Sequence, residues 1–188
     1  IEGEPSFPLT NFGGDSAWEG GAAPGPRGVM GNAQTHCVQL PNTFAFAMGA
    51  KGVRITDADY VAFAEDLIPG LGRTIVDGWQ RLQGEDSSAM LETAAVLEQV
   101  PDSALEMGRL KGFLFGSPRR FLNDLAMQLR MRAPYAELRR SEGKPDRAVV
   151  RAFAEAAGAW QAQHAYENTW WWPDLDPTLR KIGSPDVN

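Results

Sequence analysis

The sequence contains a single cysteine, Cys37, and it directly follows one of only two histidines, His36. A cysteine nucleophile needs a histidine within hydrogen-bond reach to take the thiol proton. Adjacent residues of an extended chain point to opposite sides, so His164 is the better base if the start of the chain crosses the last helix. This pattern is consistent with a hydrolase that uses a Cys/His pair. The alternative is a buried, unreactive thiol, the usual state of a lone cysteine.

The same three side chains could also be considered as metal ligands. Cys37, His36 and His164 have neither the C-x-x-C spacing nor the i, i+4 histidine spacing that zinc sites use. We therefore predict no metal. No glycine-rich loop stands between a strand and a helix, and no Gly-x-Ser-x-Gly elbow is present, so we also predict no cofactor.

Tryptophans form the second set of candidate functional residues. Three of them are consecutive, and consecutive residues cannot all face one side of a regular element, so packing in the core accounts for one or two. Tryptophan is favoured in interfaces, where its large face is buried and its N–H still forms a hydrogen bond. A partner interface and a platform for a carbohydrate or aromatic ligand are therefore the alternatives to core packing. The predicted binding residues are Trp18, Trp160, Tyr166, Trp170, Trp171 and Trp172.

Charge and hydropathy exclude several classes of protein. The formal net charge is −6, which argues against general nucleic-acid binding. No apolar run approaches eighteen residues, so we expect no membrane span. A single cysteine excludes an intrachain disulfide. Because the chain starts at Ile1, removal of an export signal is a natural explanation, and we expect a periplasmic or secreted protein.

The charges are unevenly distributed along the chain. Residues 109–151 contain eleven Lys/Arg against four Asp/Glu, whereas the remainder contains seven against twenty. We expect the basic stretch to pair with acidic helices of the same fold. The alternative is a basic surface for an acidic partner or ligand.

The elements that must position these residues are mostly helical. Apolar residues recur at helical spacing from residue 56 onward, and Thr56, either Asp86 or Ser87, and Ser117 are typical helix N-caps, the last followed by Pro118. Short connections favour an up-and-down bundle or array of six to seven helices. The predicted helices span residues 56–68, 71–83, 86–100, 102–116, 117–133, 135–140 and 146–172.

The two ends of the chain are expected to differ from the helical domain at 43–173. Residues 1–42 are rich in glycine and proline but contain regularly spaced apolar residues, which favours an extended arm that packs on another surface. Residues 174–188 form a second, shorter arm. Within the helical domain, residues 43–55 contain two short apolar runs around a glycine turn, and we interpret them as a β-hairpin.

The leading functional hypothesis is a non-catalytic helical subunit or interaction module that docks on a larger partner protein, or on a second copy of itself, through its arms and tryptophans. The Cys/His hydrolase is the first alternative. A carbohydrate- or aromatic-ligand-binding domain built on the tryptophans, with a glycan as the ligand, is the second.

Overall fold

The computed structural model of the protein describes residues 37–49, 51–114, 117–141 and 144–164, with the side chains of Gln161 and His164 outside this description. The described chain is an array of six α-helices, which confirms the mostly α prediction. The helices are α1 Leu40–Gly49, α2 Asp57–Leu67, α3 Gly72–Leu82, α4 Ser87–Gln99, α5 Pro118–Arg140 and α6 Arg147–His164. None of the described helices is both long and apolar enough to cross a membrane.

Three of the predicted helix starts are confirmed by their capping hydrogen bonds. Thr56 and Asp59 form a reciprocal capping box at the start of α2. The Asp86 side chain accepts from the backbone N–H of Ala89 at 3.0 Å. Ser117 accepts from the N–H of Arg120 at 3.1 Å, and Pro118 occupies the first turn of α5. Each of these side chains satisfies a donor that the helix itself leaves unpaired.

The predicted β-hairpin at 43–55 is wrong. Residues 40–49 form helix α1 instead, and the described chain contains no strand. The apolar residues of this segment are used for helix packing: the Phe44 ring stacks on Phe63 with centroids 4.4 Å apart and meets Tyr60 edge-on at 5.5 Å. A short apolar run fits a strand or a buried helix equally well, so contact with α2 decides the outcome.

The predicted helix at 102–116 is also wrong. The chain there forms two short 3-10 helices, Asp102–Ala104 and Lys111–Phe113. Between them the N–H of Gly108 donates to the carbonyl of Leu67 at 2.9 Å, and the N–H of Leu110 donates to the carbonyl of Asp66 at 2.8 Å. These carbonyls belong to the last turn of α2, where a helix lacks its own donors. The segment therefore completes the end of α2 rather than forming a helix.

The predicted break at Pro134 does not occur. α5 runs without interruption from Pro118 to Arg140, so the two predicted helices at 117–133 and 135–140 are one, with Pro134 inside it. Proline removes one hydrogen bond from a helix interior and normally bends or ends it. Here α5 is the central helix, packed against α3, α4 and α6 and buried over most of its circumference. Burial on several sides outweighs the local cost.

The last helix begins where the sequence predicts. Asp146 precedes α6, and its side chain accepts from the N–H of Ala148 at 2.7 Å. The described part of α6 ends at His164, so the predicted continuation to residue 172 lies outside the described residues, as do residues 1–36 and 174–188 of the predicted arms. The proposed division of the chain into arms and a helical domain stays a prediction.

Candidate functional site

A row of three polar residues is buried on the central helix. Asp124, Gln128 and Arg132 follow one another at intervals of four in α5 and are 4%, 0% and 1% exposed. Residues four apart lie on the same side of a helix, about 6 Å apart along its axis. They form one polar stripe, here called the α5 polar stripe, in a helix whose other buried residues are largely apolar. Buried charged groups of this kind mark candidate functional sites.

Asp124 is held at one end of the stripe by two neighbours. The side-chain amide of Gln163 in α6 donates to Asp124 Oδ1 at 3.0 Å, and Arg120 Nε lies 3.6 Å from Oδ2. Its charge also reaches Cys37 and helps to raise the pKa of that thiol. The carboxylate is therefore compensated by a cation and lies near the first residues of the described chain.

Arg132 is held at the other end. Its Nη2 lies 3.4 Å from Glu85 Oε1, and its guanidinium lies 5.1 Å from the centre of the Tyr135 ring. Glu85 also lies 3.5 Å from Arg139, and its carbonyl accepts from Arg140 at 3.1 Å. Glu85, in the α3–α4 connection, thus contacts three arginines near the C-terminal end of α5. The charge of the buried guanidinium is compensated by an acid that is itself half-exposed.

Gln128 lies between these two charged residues and is the uncharged member of the stripe. Within the described chain neither Oε1 nor Nε2 of Gln128 has a hydrogen-bond partner, although the side chain is fully buried. Leaving a buried polar atom unpaired costs roughly 1–3 kcal/mol. A carboxamide has one acceptor and two donors. The centre of the stripe therefore retains unused hydrogen-bonding capacity at a cost to folding.

Trp160 of α6 is at about the same level along the helices as Gln128. Two contacts fix the alignment of α5 and α6: Gln163 with Asp124, and Phe153 with Tyr135, whose rings are 6.0 Å apart. The two helices run in opposite directions, so Gln128, four residues beyond Asp124, is about level with Trp160. The Trp160 side chain is 5% exposed and belongs to the core. Of the residues predicted for binding, it is the one that the structure describes.

The other predicted binding residues cannot be located in the same way. Trp18, Tyr166, Trp170, Trp171 and Trp172 lie outside the described residues. Their assignment to binding stays a prediction.

Cys37 is buried at the start of the described chain. Its carbonyl accepts a hydrogen bond of 2.7 Å from the indole N–H of Trp79, and burial, reinforced by the charge of Asp124, raises the pKa of the thiol well above its usual range. A nucleophilic cysteine needs the opposite shift, because the thiolate is the reactive form. Of its proposed partners, His36 and the side chain of His164 lie outside the described residues.

Basic side chains of the 109–151 stretch pair with acids of the same fold, as predicted. Arg109 binds Asp66 at 2.6 Å, Arg119 binds Asp102 at 2.7 Å and Arg130 binds Glu98 at 2.5 Å, in addition to the pairs of Arg120, Arg132 and Arg139 described above. These ion pairs join α5 and the segment before it to α2, α4 and the connections between them. Most of the positive charge is thus used within the fold.

Across residues 37–49, 51–114, 117–141 and 144–164, no group of three or more His, Cys, Asp or Glu side chains could hold a metal ion. The α5 polar stripe contains a buried carboxamide whose hydrogen-bonding atoms are unpaired within the described chain. No protein-family model, curated protein or solved structure matches the chain. The functional argument therefore rests on these contacts.

Sequence reasoning missed the α5 polar stripe. The apolar spacing predicts a helix over residues 117–133 but assigns no role to Asp124, Gln128 or Arg132. The signal that could have identified them is their regular spacing of four immediately beside the apolar positions. A helix buried on one side would expose them, and their burial follows from the central position of α5.

Proposed function

We propose that the protein is a non-catalytic helical subunit or interaction module that docks on a larger partner protein through its arms and its tryptophan cluster. The docking segments are residues 1–36 and 174–188, and the docking rings are Trp18, Tyr166, Trp170, Trp171 and Trp172. Trp160, also in the predicted set, and residues 37–40 of the predicted arm are buried in the fold.

The observation that carries this proposal is the position of α6. Within the described chain its extensive packing is against α5, whereas its other side is exposed and largely made of small residues. The exposed positions include Ala148, Ala152, Gly158, Ala159 and Ala162. Small side chains allow another polypeptide to approach a helix closely. An edge helix with such a side is suited to contact a partner.

The tryptophan block follows this helix closely in the sequence. Trp160 is buried in the core and anchors α6 to the bundle. Tyr166 and then Trp170, Trp171 and Trp172 follow within twelve positions of that anchor. A short connection to a rigid helix supports presentation of large rings to a partner, because less conformational freedom is lost on binding. Tryptophan is also enriched among the residues that contribute most to binding energy.

The charge pattern supports the same proposal over a purely electrostatic one. Since Arg109, Arg119 and Arg130 pair within the fold, docking through the arms and rings does not depend on a free basic surface. The Cys/His hydrolase is less well supported, because the thiol of Cys37 is buried and its raised pKa disfavours the thiolate.

The test compares the full chain with a variant that carries Trp170→Ala, Trp171→Ala and Trp172→Ala. Chemical cross-linking in the native extract, followed by mass spectrometry, should show one dominant larger polypeptide linked to the full chain and not to the variant. The variant should keep the same helical content and melting temperature. A control with Trp160→Phe changes an anchored core ring and should keep the cross-link.

Light scattering on the purified chain separates the remaining outcomes. A stable homo-oligomer that the triple variant dissociates would identify a second copy as the partner. A compact monomer with no specific cross-link, and with both arms protected from protease, would contradict the proposal.

A further inference from the structure

We propose that Gln128 is the centre of a binding site, between α5 and α6, for a small neutral ligand that carries a planar amide group. Gln128 and Trp160, from which the site is argued, lie in the described helices α5 and α6, so the site does not rest on the docking function proposed above.

The unused hydrogen bonds of Gln128 are the basis of the site. The side chain is fully buried, and neither its Oε1 nor its Nε2 is paired within the described chain. Buried amides are almost always hydrogen-bonded, because the loss of water is otherwise uncompensated. A ligand that forms hydrogen bonds with both atoms would recover the free energy that is lost by leaving them unpaired.

The neighbouring charges indicate that the ligand is neutral. Asp124 already has Arg120 at 3.6 Å and Gln163 at 3.0 Å, and Arg132 has Glu85 at 3.4 Å. A charged ligand would bring a further, uncompensated charge into a buried site, which is strongly unfavourable. Gln128 is the neutral member of the stripe, and both of its hydrogen-bonding atoms lack a partner within the described chain.

The geometry of a carboxamide favours an amide as its partner. Its acceptor and donor lie side by side in one plane, so another planar amide returns both hydrogen bonds at once. Trp160, about level with Gln128 on α6, contributes a large flat apolar ring to the core. Binding sites of this type combine apolar walls with a few polar groups that set orientation. A cyclic amide and a primary carboxamide both present N–H and C=O on one side and fit this description, whereas a trans peptide unit presents them on opposite sides.

Access to the site requires displacement of α6. α6 contacts the stripe-bearing helix through Gln163 with Asp124 and through Phe153 with Tyr135, and α5 is the one described helix with which it packs extensively. A helix that packs on one neighbour separates from the fold at a lower free-energy cost than a central helix does. Ligand binding should therefore stabilise α6 on α5.

The experiment titrates the full chain with three probes by calorimetry: uracil as a cyclic amide, N-acetylglycinamide as an open-chain primary amide, and glucose as a neutral polyol without an amide. We expect saturable 1:1 binding of at least one amide, and no binding of glucose. Which amide binds distinguishes a heterocycle from an open-chain carboxamide as the natural source. Backbone hydrogen exchange in residues 147–164 should slow when that amide is bound.

Two substitutions assign the binding to this side chain. Gln128→Met removes both hydrogen-bonding atoms at similar volume, and Gln128→Glu removes the donor; each should weaken binding of the amide at least ~10-fold, the effect of about one lost hydrogen bond. Gln99→Met, on an exposed position of α4, is the matched control and should bind as the unchanged protein does. If only one of the two Gln128 variants folds, that one suffices.

The proposal would be overturned if neither amide binds at millimolar concentration, if glucose binds in preference to both, or if an amide binds equally well to a folded Gln128 variant. If Gln128→Met raises the melting temperature and neither amide probe binds to the unchanged protein, the Gln128 side chain has no role in ligand binding.

Discussion

The indole N–H of Trp79 donates a hydrogen bond of 2.7 Å to the backbone carbonyl of Cys37, forty-two residues earlier in the chain. Trp79 is a fully buried residue of α3, and Cys37 is the first residue that the structure describes. This bond ties the entry of the chain into the bundle to the middle of the core. It also holds Cys37 where burial suppresses its ionisation.

Loss of this hydrogen bond should lower stability. Trp79→Phe leaves the carbonyl of Cys37 without its donor and replaces a large ring by a smaller one, so we expect the free energy of unfolding to fall by about 2–4 kcal/mol. Urea denaturation measures the change. The neighbouring variant Gln80→Ala removes an exposed hydrogen bond to Asp57 and should cost less than ~1 kcal/mol. Equal effects of the two would contradict the structural role assigned to Trp79.

Stability should fall at alkaline pH because two buried groups resist ionisation. Burial raises the pKa of the Cys37 thiol, with a further contribution from Asp124, and burial also raises the pKa of the Tyr60 hydroxyl. Both groups ionise more readily in the unfolded chain. Their contribution to the free energy of unfolding is therefore fully present below pH ~8.5, near the pKa of a free thiol. It is lost as the pH rises through that value for the cysteine and then through ~10 for the tyrosine.

Urea midpoints measured between pH 7.5 and 10.5 test this expectation. The midpoint should decline over that range in the unchanged protein. The decline should be smaller in the double variant Cys37→Ala with Tyr60→Phe, which has neither group. The same slope in both proteins would show that other groups control the alkaline transition.

Two ion pairs of α5 should differ in their contribution to stability. Arg132 is buried and pairs with Glu85, whereas Arg130 and Glu98 form a partly exposed pair. Glu85→Gln leaves a buried guanidinium with a weaker partner, and we expect a loss of about 1–2 kcal/mol, limited by the exposure of Glu85 itself. Glu98→Gln should cost less than ~1 kcal/mol.

The comparison is made by urea denaturation at low and high salt. The effect of Glu98→Gln should diminish at 1 M salt, because exposed charges are screened. The effect of Glu85→Gln should persist. A larger loss for Glu98→Gln would contradict the burial of Arg132 as the deciding factor.

The contact between residues 105–114 and α2 can be tested with a pair of glycines. A Cβ at Gly108 would overlap the carbonyl of Asp66, whereas a Cβ at Gly112 would meet nothing within 4 Å. Because the obstacle at Gly108 is backbone, it cannot move aside. We expect Gly108→Ala to destabilise the protein by more than ~2 kcal/mol, in the range of overpacked positions, and Gly112→Ala to stay within ~0.5 kcal/mol of the unchanged protein.

Thermal unfolding monitored by circular dichroism is sufficient for this pair. A similar melting temperature for Gly108→Ala and the unchanged protein would show that the segment does not contact α2 as described.

The sequence by itself determined the features that depend on neighbouring residues. Thr56, Asp86 and Ser117 satisfy helix N–H groups within a few residues of themselves, so their capping roles follow from local chemistry. The apolar spacing from residue 56 onward similarly determined the mostly helical fold. Composition favoured pairing of the basic stretch with acids of the same chain but left a basic partner surface as the alternative, and the ion pairs of Arg109, Arg119 and Arg130 support the first.

Only the tertiary structure decided the rest, because those features depend on groups far apart in the chain. Contact with α2 made residues 40–49 a helix and held Gly108 in a non-helical segment. Burial of α5 on several sides kept Pro134 within a helix. The same burial placed Asp124, Gln128 and Arg132 in the interior as the α5 polar stripe, since a helix pattern shows which residues share a side but not what covers that side.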